Sequence, residues 1–270
     1  MAVITKITTQ KKNTERFNVY IDQGAGEEYA FSVDADILIA YKLNKGMTID
    51  AKEMTTILHD DAIKKGFNQA LRFLSFRMRS QQEIADLLKK QEYSEEAIAA
   101  ILQKLAQYGY VNDEEFAKML VRTKKNTSNK GPVIISRELL QKGVSERIVQ
   151  VALSEYSWQE QVDTAAAFAE KKAAQTKGQS QHERKNKVML QLLQKGFSKE
   201  VINEAMTAVD FEMSHSEERE ALIKQATKAH KRYKKFSGMQ YTMKMKQHLY
   251  GKGFPIALIE EVLNSGVIDQ

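Results

Sequence analysis

Cysteine is absent from this 270-residue chain, which excludes a disulfide framework and any thiolate metal site and fits a reducing compartment. Only two prolines and one tryptophan occur, while Ala, Leu, Glu, Lys and Gln abound, a composition that favours helix. No apolar run approaches the roughly 18 residues of a membrane span, and Met1–Gln10 has no apolar core of signal-peptide length. The expectation is a soluble, cytoplasmic protein without a membrane segment. Phosphate-cradling loops are missing as well. Gly24-Ala25-Gly26 lacks the later glycine and the helix of a dinucleotide site, so it reads as a turn. His59-Asp60-Asp61 has no second histidine at ligand spacing, and His182, His215, His230 and His248 are scattered; the triplet reads as a polar helix start. Glu27-Glu28 and Glu217-Glu218 are adjacent pairs, and adjacent helical residues do not face each other. No cofactor, metal or catalytic site is expected, and the chain is not expected to be an enzyme.

Charge is plentiful but uneven. The net charge is +6, yet residues 1–60 hold seven Lys/Arg against nine Asp/Glu. Lys224–Lys252 carries nine Lys/Arg and no acid, and Lys118–Lys142 carries seven against Glu138 alone. Such runs favour an acidic partner, nucleic acid or an acidic protein face, and equally suit a solvated helix face.

The first 34 residues have their own pattern. Val3-Thr5-Ile7, Phe17-Val19-Ile21 and Tyr29-Phe31-Val33 alternate with period two and predict three half-buried strands. Asp34 or Asp36 predicts the cap of a short helix at Ile37–Tyr41. Three short strands cannot enclose a large core, so a small module packed on or tethered to the remainder is expected.

Beyond about residue 60 the period becomes helical. Phe67, Leu71, Leu74 and Met78 step by 4, 3 and 4, as do Trp158, Val162, Ala165 and Ala169, and Leu222, Ala226, Ala229 and Tyr233. Ser80-Gln81-Gln82-Glu83 is a capping box, Ser94 caps a third helix, and Asn112 or Asp113 opens a fourth. Lys130-Gly131-Pro132 and the polar stretch Gln175–Gln181 break the chain, as does Ser237-Gly238. One phrase recurs: Leu87-Leu88-Lys89-Lys90-Gln91-Glu92-Tyr93-Ser94, Leu139-Leu140-Gln141-Lys142-Gly143-Val144-Ser145, Leu192-Leu193-Gln194-Lys195-Gly196-Phe197-Ser198 and Leu249-Tyr250-Gly251-Lys252-Gly253-Phe254-Pro255. Each copy precedes a new apolar-periodic stretch, and Gly143, Gly196 and Gly253 stand where a left-handed residue ends a helix. A period near 50 residues marks tandem repeats. The fold expected is mainly α: about four three-helix units forming an elongated curved solenoid, with a small N-terminal β-rich module. The boundaries expected are 1–60 for the module and 61–110, 111–156, 157–212 and 213–270 for the repeats. Bodies of this kind grip macromolecules more often than they enclose small-molecule pockets.

Arg77-Met78-Arg79-Ser80, Gly109-Tyr110-Val111-Asn112-Asp113, Phe116-Ala117, Lys130-Gly131-Pro132 and Glu138–Val144, in this order and three-helix setting, resemble the regulatory protein RecX family. Ile4-Thr5-Lys6-Ile7 and Phe31-Ser32-Val33 are similar to the longer form found in low-GC Gram-positive bacteria. The resemblance spans most of the chain and is most specific over 70–153. It implies a non-enzymatic cytoplasmic modulator of the RecA recombinase, acting in recombination, DNA repair and the SOS response. Such a protein binds the RecA filament on single-stranded DNA and limits its assembly and activity. No catalytic residues are implied. Many members have three repeats and no β-module.

The candidate contact residues are basic and end the first helix of a unit. They are Arg72, Arg77 and Arg79 in unit one, with Arg72 and Arg79 read as sharing a helix face; Arg122, Lys124, Lys125 and Lys130 in unit two; and Lys228, Lys231, Arg232, Lys234 and Lys235 in unit four. Cations there also suit a helix C-terminus. Their recurrence suggests one basic stripe that meets the RecA filament, with single-stranded DNA as a second candidate partner, from a monomer. The alternative is a stand-alone nucleic-acid-binding repeat protein.

Overall fold

The computed structural model describes residues 1–176 and 178–268; Lys177, inside the polar break read at Gln175–Gln181, lies outside them. Four strands come first, β1 (Ala2–Gln10), β2 (Asn13–Asp22), β3 (Glu27–Asp34) and β4 (Thr48–Ile49), with the short helix α1 (Ala35–Ala40) between β3 and β4. They form one antiparallel sheet in the order β3-β2-β1-β4. Twelve helices follow among the described residues: α2 (Ala51–Leu74), α3 (Gln81–Lys90), α4 (Glu95–Gln107); α5 (Asp113–Ser128), α6 (Pro132–Gln141), α7 (Glu146–Leu153); α8 (Trp158–Gln175), α9 (Gln181–Lys195), α10 (Lys199–Thr207); α11 (His215–Tyr233), α12 (Gly238–Gly251), α13 (Ile256–Asn264). The chain is thus mainly helical, a β-module followed by four three-helix repeats. It divides into two compact units, residues 1–117 with 140–148, and residues 118–139 with 149–268 of those described.

In the sheet, the expected faces hold only in part. Ala2 and Ile4 are buried on β1, whereas Val3 is exposed, and Ile7 is half-buried. A register shift between Ile4 and Lys6 inserts one residue against β2, which reverses the inward parity from even to odd positions. A second shift, opposite Val19 and Tyr20, leaves Tyr29 exposed while Phe31 and Val33 stay buried. The two-residue β4 escapes a periodicity reading because it is too short to show a period. Asp34, of the two candidates, caps α1, accepting from the Asp36 amide. The Gly24–Gly26 turn is held by Asp22 Oδ1, which accepts from the amides of Gly24 (2.7 Å) and Gly26 (3.1 Å).

Helix α2 starts earlier than the helical period suggests. Asp50 and Glu53 form a full capping box, so the helix begins at Ala51 and passes through residue 60 without interruption. It serves two cores. Its Ile57 joins Ile4, Val19, Ile21, Phe31 and Val33 beneath the sheet, and its Phe67 and Ala70 join Ile84, Leu88, Ile98, Ile101 and Leu105 of the first repeat. His59-Asp60-Asp61 therefore lies inside a helix and is not a helix start. Asp61 is buried, takes a two-pronged hydrogen bond from the Arg16 guanidinium (2.7 and 3.3 Å) and accepts from the Asp34 amide (2.7 Å). Asp60 accepts from the Tyr41 hydroxyl, and Lys64 pairs with Asp36. Asp60, Asp61 and Lys64 fasten the β-module to α2.

The recurrent phrase ends one helix and also joins neighbouring repeats. In the first compact unit, Ser80 Oγ donates to the Lys142 carbonyl (2.7 Å), and Lys142 Nζ lies 3.0 Å from Glu83 Oε1. Ser80 and Glu83 are the capping box of α3. The hinge of repeat two is thus seated on the second helix of repeat one. In the second compact unit, Ser180 Oγ donates to the Lys252 carbonyl, and Lys252 Nζ lies 3.1 Å from Glu183. Between repeats two and three, backbone replaces the serine: the amides of Gly131 and Val133 donate to the carbonyls of Lys195 (2.8 Å) and Gly196 (3.2 Å). The Lys195 ammonium reaches the Ser128 carbonyl at 2.9 Å. The hinge glycines are required twice over. Gly143, Gly196 and Gly253 have φ of +76°, +88° and +83°, and a Cβ on them would fall 2.4, 2.6 and 2.8 Å from Gln82, Ile134 and His182. In repeat one, Gln91 and Glu92 (φ +62°) stand in place of the Lys-Gly pair.

Candidate partner-binding surface

The basic residues singled out above have different fates. Helix α2 ends at Leu74, so Arg77 and Arg79 lie beyond it, and the seven-residue spacing of Arg72 and Arg79 is not helical geometry. Met78, read as the last residue of the same apolar stripe, is exposed for the same reason. Arg72 stays exposed in the last turn of α2. Arg77 is committed to Glu83 at 2.7 Å, and Arg79 stacks its guanidinium 3.9 Å from the Phe73 ring centroid with Glu83 at 3.8 Å. Glu83 therefore collects Arg77, Lys142 and the Ser80 amide. Burial pushes its carboxyl up, but these hydrogen bonds outweigh burial and bring its pKa down to about 2.

The second repeat's cations are also occupied. Arg122 meets Glu155 (2.8 Å), Lys125 meets Glu160 (2.6 Å), and Lys124 and Lys130 share Glu138 (2.7 and 3.3 Å). Glu138 feels burial, which raises its pKa, yet the two lysines together hold it below the usual carboxylate value. Glu155 and Glu160 follow their partners by 33 and 35 residues, so the run Lys118–Lys142 looks far more basic along the chain than in space.

The fourth repeat differs. Lys228, Lys231, Arg232, Lys234 and Lys235 are exposed at the end of α11, and among the described residues none has a carboxylate within ion-pair distance. Arg232 lies 5.5 Å from the Tyr233 ring centroid, and Lys235 and Lys244 flank Phe236 at 5.4 and 4.7 Å. These aromatic contacts hold the cations at the surface without neutralising them. The structure thus leaves one concentrated uncompensated basic segment, Lys228–Lys235, and a separate Arg72; the other six candidates serve internal pairs. Sequence reasoning missed Lys142, Lys195 and Lys252 as joining residues. Their signal was present in the recurrence of lysine before each hinge glycine, matched by Ser80/Glu83 and Ser180/Glu183 upstream. No helix among the described residues is long and apolar enough to cross a membrane.

A β-module followed by tandem three-helix repeats, with an exposed basic segment at the end of α11, defines a helical-repeat protein. Family models for the regulatory protein RecX match in register with this architecture: the N-terminal domain at residues 2–50, the first three-helix domain at 67–105, the second at 112–153, and the third twice, at 159–206 and 217–263. The chain belongs to the RecX family. It is 45% identical over 263 residues to the regulatory protein RecX of Bacillus subtilis (strain 168), covering 97% of this chain and 98% of that one. It is 45% identical over 264 residues to that of Geobacillus sp. (strain WCH70), covering 98% and 97%. A crystal structure of regulatory protein RecX superposes with a TM-score of 0.66 at 34% identity, over 77% of this chain and all of that one. RecX from Lactobacillus salivarius superposes at 0.54 with 36% identity, over 57% and 99%.

Proposed function

We propose that this chain is a cytoplasmic, non-enzymatic modulator of the RecA recombinase, which binds the RecA filament on single-stranded DNA and limits its assembly and activity. The observation that carries the reading is the uncompensated basic end of α11, on a chain whose relatives are named regulatory proteins. A filament on nucleic acid repeats its acidic features along its length, and a repeat protein offers several modest contacts that add. On this reading the two cation clusters of the first and second repeats hold the protein together, and Lys228–Lys235 makes the intermolecular contact. The chain works as a monomer.

The test is DNA-dependent ATP hydrolysis by RecA of the same species, with co-sedimentation of the two proteins on single-stranded DNA. Substoichiometric protein lowers hydrolysis and travels with the filament. The variant K231E/R232E/K234E/K235E loses both effects in large part, whereas R122E/E155R, which swaps an internal pair, keeps them. Unchanged hydrolysis and strand exchange at excess protein would rule the reading out. Equal binding to bare DNA with and without recombinase would favour a stand-alone nucleic-acid-binding protein.

A further inference from the structure

The first compact unit holds a cleft of about 690 Å³ between the β-module and the first repeat. That volume is in the roughly 300–1,000 Å³ range of ligand pockets. Helix α2 forms the floor with Ile63, Lys64 and Phe67, the end of α1 forms one wall, and α4 forms the other. Gln103 and Gln107 lie one turn apart on α4 with Lys104 beside them, and all three face the cleft. Gly109, at φ +72°, ends that helix. Its amide donates to the Ala106 carbonyl and that of Tyr110 to the Leu105 carbonyl, which brings Tyr110 back beside Tyr108.

The polar groups of the cleft are only partly spent. Asp36 pairs with Lys64, and Asp60, about 10 Å before Phe67 along α2, accepts from the Tyr41 hydroxyl. Around Phe67 three rings meet. The centroids of Tyr108 and Tyr110 lie 5.9 and 6.3 Å from that of Phe67 and 6.1 Å from each other. Phe67 is buried, whereas Tyr108 and Tyr110 are 63% and 54% exposed. Lys104 lies 5.8 Å from the Phe67 centroid and has no carboxylate within ion-pair distance among the described residues. Neither tyrosine hydroxyl has a hydrogen-bond partner among those residues, nor has the side-chain amide of Gln103 or Gln107.

We infer that this cleft takes one nucleotide of a single strand, its base against Tyr108 and Tyr110, its ring edge toward Gln103 and Gln107, and its phosphate at Lys104. Exposed tyrosine rings offer a base a flat face, and such stacking accepts any sequence. The donors and acceptors on a base edge match the two free amides, which an aliphatic side chain would bury unpaired. Charge selects a strand over a free di- or triphosphate. Each nucleotide of a strand carries one negative charge, which the one unpaired ammonium of Lys104 answers. Several charges on one ligand would crowd against Asp36 and Asp60, with no glycine loop to receive them. The site is separate from the cations of α11, and it does not depend on the partner being a recombinase filament.

The test is fluorescence anisotropy of the full chain, without recombinase, on labelled oligothymidylate and on an abasic deoxyribose-phosphate strand of the same length. The parent prefers the oligothymidylate. Y108L/Y110L keeps an apolar cover over Phe67 but removes the flat rings, and it lowers that preference by about fivefold or more, whereas Y108F/Y110F keeps it. Affinity for the abasic strand is the same in the parent and in Y108L/Y110L. K104Q lowers the slope of log affinity against log salt by about 0.7. No preference in the parent, an undiminished preference in Y108L/Y110L, or an unchanged salt slope in K104Q overturns the proposal. Equal loss on both strands would place the two tyrosines in the fold's own interactions and overturn it as well. Thymidine monophosphate competing as well as the oligothymidylate would make the cleft a free-nucleotide site, and the choice of a strand fails. The ATP-hydrolysis test uses none of these variants, so the two readings stand or fall separately.

Discussion

Replacing Glu83 with glutamine separates charge from shape at the junction of repeats one and two. Glutamine at the third position of a helix still returns the capping-box hydrogen bond, so the start of α3 keeps its geometry. What is lost is the negative charge between Arg77 Nη2 (2.7 Å) and Lys142 Nζ (3.0 Å). The carboxyl lies at about 2 in the fold against an ordinary value of 4.5. Taken at face value, that displacement corresponds to about 3 kcal/mol at about 1.4 kcal/mol per pH unit. Arg77 has 46% of its side chain exposed, so water screens part of the interaction, and about 1–2 kcal/mol is the expected loss at neutral pH. The folded pKa is depressed. The contribution is therefore complete above the unfolded value of about 4.5 and fades as pH falls through about 2, below which both states are protonated. The assay is native-state hydrogen exchange at low denaturant, read at the amides of α3 and of residues 140–148, for the parent and E83Q. Their difference should be about 1–2 kcal/mol near neutrality and should shrink to under about 0.5 kcal/mol near pH 2. The same difference at both pH values, or none near neutrality, would show that Lys142 and Arg77 do not act through this carboxylate.

Four further outcomes follow from the packing and surface charge. Gly131→Ala places a Cβ 2.4 Å from the Gly196 carbonyl carbon and oxygen, atoms of a backbone that cannot swing aside; urea denaturation should show a loss of about 2–4 kcal/mol. Gly251→Ala, in the middle of a helix end with nothing within 4 Å, should be neutral or slightly stabilising in the same measurement. Asp61→Asn leaves the Arg16 guanidinium without its counter-charge in a side chain 19% exposed, and should raise exchange of the β-module amides by an opening free-energy change of about 2–4 kcal/mol, with the amides of α9 and α10 unaltered. Reversing Lys231, Arg232, Lys234 and Lys235 should leave the melting temperature almost unchanged, because none of them has an ion-pair partner to lose; a large drop would place these residues in the fold's own interactions.

Local signals were the legible ones. The capping serines at 80, 94 and 198, the apolar steps of α2 as far as Leu74, of α8 from Val162 onward (Trp158 is exposed) and of α11, and the left-handed glycines each depend on neighbours a few residues away, and the sequence displays such neighbours directly. The sheet was less legible, because one inserted residue at Thr5 reverses which side of β1 faces inward, and a bulge has no fixed composition. The start of α2 was missed since its first two turns, from Ala51 to Leu58, are largely exposed and show little apolar periodicity, although Asp50 and Glu53 announced the cap. The basic surface was hardest. Lys124 and Lys125 read as a free cluster until Glu138 and Glu160 arrive from other helices, and no spacing rule predicts an ion pair across 35 residues. Lys142 reads as a helix-ending cation, and its link to Glu83 exists only once two repeats are side by side.

The lysine-glycine hinge has a consequence for how such a chain can change length. Within a repeat, the hinge that plugs into the preceding neighbour follows the second helix, while the socket that receives the next neighbour is that same helix's beginning. Plug and socket are separate parts on one short segment, so a unit that carries both can be inserted between two others without redesigning either. The third-domain family model fitting both 159–206 and 217–263 agrees with such an addition. The joint also makes each repeat's folding answer to its neighbour: a hinge that lets go exposes the capping serine and carboxylate of the helix it covered. Loss of one joint is therefore felt one repeat upstream of the altered residue, and a map of damage along the chain would be displaced by one unit from the map of mutations.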